Sequence, residues 1–170
     1  SGTNVWISQW DGEAFTSPSE AIVSTGVERL DFAHMISNAE TSAAVFIQDG
    51  KLTTRMLGQN GWFQPGNGQL NMRLDASQAQ LIDASLSASG QLSVLFSDFT
   101  PRTFGAATRK RYLTHWNGNA WVHTNLGTLE ASPVALEVND QDKPLVITQS
   151  NTTLNIREDQ STFTPPAIIR

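Results

Sequence analysis

Short apolar runs, each broken by Asn, Asp, Ser or Gly, follow one another along the whole chain. Residues 30–36 (Leu-Asp-Phe-Ala-His-Met-Ile) lead into 42–47 (Ser-Ala-Ala-Val-Phe-Ile). Residues 81–86 lead into 91–96, and 134–138 into 144–148, in the same way. Runs of this length, rich in Val, Ile and Phe and bounded by turn formers, predict β-strands joined by tight reversals. The second run of each pair is almost wholly apolar, as expected of a strand buried on both faces. No stretch shows a sustained 3.6-residue period, and residues 17–29 offer at most one short turn. The expected fold class is therefore all-β.

A second pattern lies over the first. Trp10-Asp11-Gly12-Glu13-Ala14-Phe15 and Trp116-Asn117-Gly118-Asn119-Ala120-Trp121 are the same phrase, and Gln59-Asn60-Gly61-Trp62 is a weaker copy. An Asx-Gly pair between apolar residues signals a two-stranded hairpin, because both residues accept positive φ. Each copy follows a strand-like run. Labelling successive strands A, B, C and D, the order A-B-C-D occurs three times, at about 30–67, 81–126 and 134–165. A lone C-D pair, 4–16, precedes them. The B-strand valines Val45, Val94 and Val146 recur roughly every fifty residues. The step between the second and third aromatic hairpins is longer, and residues 99–108, with a Pro and a Gly, are expected to form a protruding loop.

Units of about 40–50 residues with four antiparallel strands are the pattern of a β-propeller. The chain is thus predicted to be one domain, 1–170, holding about three and a half blades. The D-strand aromatics Phe15, Trp62, Trp121 and Phe163 would wedge between neighbouring blades. A β-sandwich is the alternative architecture. On the residues of the hairpin phrase, the chain resembles the loose class of Trp/Gly-containing propeller repeats of lectin-like and bacterial surface proteins. That resemblance implies a propeller fold and a role in binding a glycan or a protein. It does not extend to the sequence signatures of WD40, sialidase or kelch propellers, and a fold does not by itself license a function.

The blade count has a consequence. Three and a half blades are too few for a ring, and an open arc exposes an apolar blade face and an unpaired strand edge. A second copy, or blades from sequence outside this chain, is expected to complete it. Ser1-Gly2, opening almost directly on a strand, is expected of a segment of a longer protein.

Composition narrows the partners. Among 170 residues, 16% are charged and the net charge is −5. The only lysines are Lys51, Lys110 and Lys143, and Arg109-Lys110-Arg111 is the sole basic cluster. That is too little for a nucleic-acid surface. No run approaches the length of a membrane span. Cysteine is absent, which removes disulfides, thiolate metal ligands and Cys nucleophiles. Low Lys with abundant Ser, Thr, Asn and Gln points to a secreted, cell-surface or periplasmic bacterial protein.

Candidate chemistry is sparse. His115 and His123 flank the Trp116–Trp121 hairpin and, if they face each other on adjacent strands, supply two ligands of a metal site that still lacks a third. Asp31, Asp83 and Glu137 fall near one another on successive A strands, where paired acids would suit a glycosidase. This is the basis of a second reading, a segment of a propeller glycosidase or lyase; a purely structural scaffold is a third. The wet channel of a propeller explains such acids as well. Asp140 and Asp142 read as turn residues. Gly-x-Ser-x-Gly and P-loop motifs are missing, and no cofactor or metal is called for. The aromatic plates are the better candidates. Trp6 and Trp10, and again Tyr112 and Trp116, lie four apart and so share a strand face. With Asp11, Asn117 and Asn119 beside them they have the makings of a sugar-binding surface, rings stacking on C–H faces and amides bonding hydroxyls. The same rings serve equally as packing between blades.

Overall fold

The computed structural model describes residues 4–6, 8, 10, 12–15, 23–24, 30–38, 41–48, 51–66, 70, 79–100, 108–127, 132–150, 153–158 and 167–169. Among these there is no helix. A short pair, β1 (Asn4–Val5) and β2 (Val23–Ser24), is followed by three four-stranded sheets. Sheet 1 comprises β3 (Leu30–Ser37), β4 (Ser42–Gln48), β5 (Lys51–Gly58) and β6 (Gly61–Phe63). Sheet 2 comprises β7 (Gln80–Leu86), β8 (Leu92–Thr100), β9 (Thr108–Trp116) and β10 (Trp121–Gly127). Sheet 3 comprises β11 (Ser132–Val138), β12 (Pro144–Ser150), β13 (Thr153–Glu158) and β14 (Ala167–Ile169). In each sheet the strands run antiparallel in sequence order, so every sheet is a simple meander.

The repeat is visible in detail. The first strand of each sheet carries an irregularity in register against the second: Leu30/Phe32, Leu81/Asp83 and Pro133/Ala135. A bulge at this place bends the strand and increases its twist. The turn after each first strand is also built alike. The side-chain oxygen of its opening residue accepts a backbone N–H from within the turn: Asn38 Oδ1 from Thr41, Ser87 Oγ from Gln91, and Asn139 Oδ1 from Gln141 and Lys143. These short polar side chains replace hydrogen bonds that a reversing backbone cannot make to itself.

Sheet 2 lies between the other two. Because side chains alternate across a strand, its residues divide into two sets. Leu92, Val94, Phe96, Tyr112 and Trp116 pack with Ala43, Val45, Ile47, Leu52 and Met56 of sheet 1. Leu95 and Leu113, on the opposite face, pack with Leu136 and Val146 of sheet 3. Burying a Leu or Phe side chain contributes about 1.5–3 kcal/mol, so these two clusters dominate the adhesion between sheets. The first strands of successive sheets also approach one another, β3 and β4 against β7, and β7 against β11.

Polar links reinforce this order. Asp83 Oδ1 accepts the N–H of Ala84, and its Oδ2 accepts that of Leu136 in the next sheet, both at 2.8 Å. The side-chain amide of Asn38 donates to the carbonyl of Ser87, joining the first turns of sheets 1 and 2. Ser89 and Ser87 bond the carboxylate of Asp142, joining those of sheets 2 and 3; these bonds hold its pKa below the ordinary carboxylate value. Asp142 has φ 60°, a left-handed conformation that Asp tolerates better than most residues.

The observed strands correct the expected ones in several places. β8 and β9 continue the ladder through Phe99↔Arg109 and Thr100↔Thr108, so the ends of the expected 99–108 loop are strand. Residues 101–107 lie outside the described residues. Asn4–Val5 pairs with Val23–Ser24, beyond the expected 4–16 pair, although the bridge Trp10↔Phe15 is present. The last strand of sheet 3 is Ala167–Ile169, past the expected limit of 165, while Phe163 lies outside the described residues. The three described D-strand aromatics do not share one environment. Trp121 packs against the first core cluster, Trp62 is half-buried, and Phe15 is 70% exposed.

Candidate functional site

The aromatic hairpin phrase folds alike in both full copies. Trp10 pairs with Phe15, ring centroids 5.3 Å apart at 63°, and Trp116 pairs with Trp121, 5.4 Å apart at 55°. Gly12 and Gly118 take positive φ, 111° and 93°, as the turn requires. In the second copy Asn117 Oδ1 accepts the N–H groups of Asn119 and Ala120, at 3.0 and 2.8 Å. The turn is thus capped by the side chain that the sequence offers as a ligand contact, leaving Asn117 its amide nitrogen for other partners.

This hairpin is pinned to sheet 1. The Trp121 indole N–H donates to the carbonyl of Pro65 at 3.1 Å. Gly66, at φ 61°, lies beneath both indoles: a Cβ there would stand 2.8 Å from Trp121 Cδ1 and 3.3 Å from Trp116 Cζ3. Only glycine allows both the backbone conformation and the approach.

Beside this junction, where the turn ends of sheets 1 and 2 meet, is an open cleft of about 480 Å³. Met56 and Leu57 of β5 and an edge of Trp116 supply apolar lining. Phe63 of β6, 43% exposed, forms one side. Its ring rests over Gly58, where a Cβ would come within 3.2 Å of Cε1. Ser89, Gly90 and Gln91 of the β7–β8 turn, Thr41, and Asn117 and Gly118 of the β9–β10 turn complete the rim. Thr41 Oγ1 is already spent on the carbonyl of Leu57. The side-chain amide of Gln91 has no partner among the described residues. The cleft therefore combines an exposed ring plate and apolar lining with the Gln91 amide, able to donate or accept, and the Asn117 amide nitrogen, able to donate.

The sequence-predicted site residues separate in space. Trp116 and Asn117 line the cleft. Tyr112 is in the core, stacked on Phe96 at 5.5 Å and 27°. Trp6 and Trp10 are about half exposed, at 51% and 55%, on the N-terminal segment. Asn119 is exposed at the hairpin tip and does not line the cleft. Asp11 lies outside the described residues. Phe63 and Gln91 were not singled out from sequence. The signal for Phe63 was its place directly after the weak third copy of the hairpin phrase; nothing local marks Gln91, which is brought in by the packing of two sheets.

The remaining titratable groups do not converge. His123 is opposite Thr114 and His115 opposite Val122, so the two imidazoles project from opposite faces of the sheet and cannot share an ion. His123 Nδ1 lies 2.7 Å from Thr114 Oγ1, and burial, then the nearby His115, lowers its pKa. Both oxygens of Asp83 accept backbone N–H groups, a structural use of that carboxylate. Glu137 is exposed, and the side chain of Asp31 lies outside the described residues. Among the described residues no three His, Asp or Glu side chains gather as a metal site would need, and no helix is long and apolar enough to cross a membrane. No protein-family model, curated protein or solved structure matches the chain.

Proposed function

We propose that this chain is a non-catalytic binding module acting outside the cytoplasm, secreted, periplasmic or at a cell surface, and that its three sheets are blades of a β-propeller arc. We further propose that the cleft between sheets 1 and 2 takes a carbohydrate. The observation that carries this reading is the meeting of the half-exposed Phe63 ring with the amides of Gln91 and Asn117 around one opening of about 480 Å³. A pyranose presents a C–H face to a ring and hydroxyls to amides, and small-ligand sites commonly pair apolar lining with a few such polar groups. The propeller part is supported by the fifty-residue repeat, the recurrent bulge in each first strand, and the approach of successive first strands. Completion of the arc by a second copy or by further blades belongs to the same proposal.

The test is an oligosaccharide array probed with the whole chain, followed by titration of the best binder. Phe63→Ser and Gln91→Ala should each weaken binding by about tenfold or more, as loss of a central contact does, with thermal unfolding little changed. Absence of any glycan binding at millimolar ligand, or unchanged affinity in both variants, overturns the cleft reading.

A further inference from the structure

Two surfaces of the chain, one face of sheet 3 and the N-terminal aromatic hairpin, leave large apolar side chains uncovered. On sheet 2, Leu95 and Leu113 are opposite each other and fully buried, because Leu136 and Val146 of sheet 3 cover them. On sheet 3 the corresponding pair is Ile147 and Ile156, also directly opposite each other. Both are only half-buried, as is Leu145, and Leu154 on the same face is 47% exposed. The side-chain amide of Asn139 is likewise uncommitted among the described residues, whereas that of Asn38, at the same position of the first turn, bonds the turn of the following sheet. Sheet 3 thus repeats the surface onto which a further sheet packs, with its hydrophobic pair and its turn donor in place.

The N-terminal hairpin is the converse. Its sequence counterpart, Trp116 with Trp121, is packed against the preceding sheet and hydrogen-bonded to it. Trp10 and Phe15 make the same ring pair yet stand 55% and 70% exposed. Two large rings left in water forgo several kcal/mol of burial, at about 25 cal/mol/Å² over roughly 150–250 Å² each.

We infer that the Ile147/Ile156 face of sheet 3 docks the Trp10/Phe15 hairpin of a second copy of this chain, reciprocally, giving a two-fold dimer. This rests on the blade reading above and deepens it by naming the two surfaces. The occupant follows from continuity: the contact extends the sheet 2–sheet 3 interface by one repeat, and the chain itself carries the exposed aromatic hairpin whose internal counterpart is seated on a sheet. A reciprocal contact uses both surfaces of both copies and closes at two, whereas a head-to-tail contact that does not close grows into filaments.

Sedimentation velocity on the whole chain, up to about 100 µM, where even weak contacts are populated, reads the assembly. The expected species has twice the chain mass. Trp10→Ser and Leu154→Glu alter exposed side chains, so folding is preserved and is checked by thermal unfolding; each should weaken the dimer by about tenfold or more. A wild-type monomer across the range overturns the inference. So does a dimer that survives Trp10→Ser but not Leu154→Glu, which means sheet 3 packing on sheet 3, or one that survives both. Glycan binding measured on the same samples keeps a failed cleft distinct from a failed assembly.

Discussion

The same six-residue phrase occurs at both ends of the exposure scale. Around Trp116 and Trp121 it is core: Trp116 is 8% exposed and Trp121 packs on the first hydrophobic cluster. Around Trp10 and Phe15 it is surface. Local geometry is shared, with a cross-strand ring pair and a glycine at positive φ in both. The phrase therefore encodes a hairpin, and its environment is set by whether another sheet lies against it. That distinction also separates Trp116, which lines the cleft, from Trp6 and Trp10, which do not.

The contrast is broken most directly by truncating its rings. Trp116→Ala should cost about 3–5 kcal/mol of unfolding free energy, the range for a buried large aromatic. Trp10→Ala should stay within about 0.5 kcal/mol in the monomer, as for an exposed position. Urea denaturation of both variants checks this, and equal losses would show that the N-terminal hairpin is packed in solution. The glycines sharpen it next. Gly66→Ala combines a clash at 2.8 Å with an unfavourable φ, for a loss of about 1–3 kcal/mol. Gly12→Ala meets no atom within 4 Å and bears only the backbone penalty, so its loss should be the smaller of the two in the same assay.

Finer substitutions follow. Trp121→Phe keeps most of the ring but removes the bond to the Pro65 carbonyl, with an expected loss of about 0.5–1.5 kcal/mol; Phe15→Leu should be silent beside it in the monomer, where the ring is exposed. The smallest effect is on pH. The folded pKa of His123 lies below the ordinary imidazole value of 6.5, through burial first and then His115. In the window between those values the unfolded chain binds the extra proton. Stability is then complete above the ordinary value and falls as pH drops towards the folded one. Asp142, held low by Ser89 and Ser87, acts in the same direction in the carboxylate range. The thermal midpoint should decline modestly below pH ~6.5, where an ordinary imidazole titrates, and His123→Gln should flatten that part of the curve while leaving the more acidic part intact.

Much of the strand order was legible because its causes are local. Apolar runs such as 42–47 and 144–148 appear as β4 and β12, and the Asx-Gly turns lie where positive φ demands glycine. The end of β8 was misjudged because Pro101 and Gly105 signal a loop, while Phe99 and Thr100 before them still find partners on β9. The site was less legible. Asn117 was singled out as a ligand contact, but its carboxamide oxygen caps its own turn. Tyr112 was singled out as a plate, but alternation along β9 places it against Phe96. Facing imidazoles were excluded only by register, since one step along a ladder reverses the face a side chain occupies.

By itself the sequence determined the element type, the order of strands, the hairpin phrase and its repetition, because these follow from residue-level preferences for backbone conformation and from the two-residue period of a strand. Tertiary structure alone decided which indoles are core, that Asp83 reaches the backbone of Leu136 in the next sheet, and that Phe63 and Gln91 meet across a gap between two sheets. Those outcomes depend on surfaces contributed by residues far apart in the chain, and no window of sequence contains both partners.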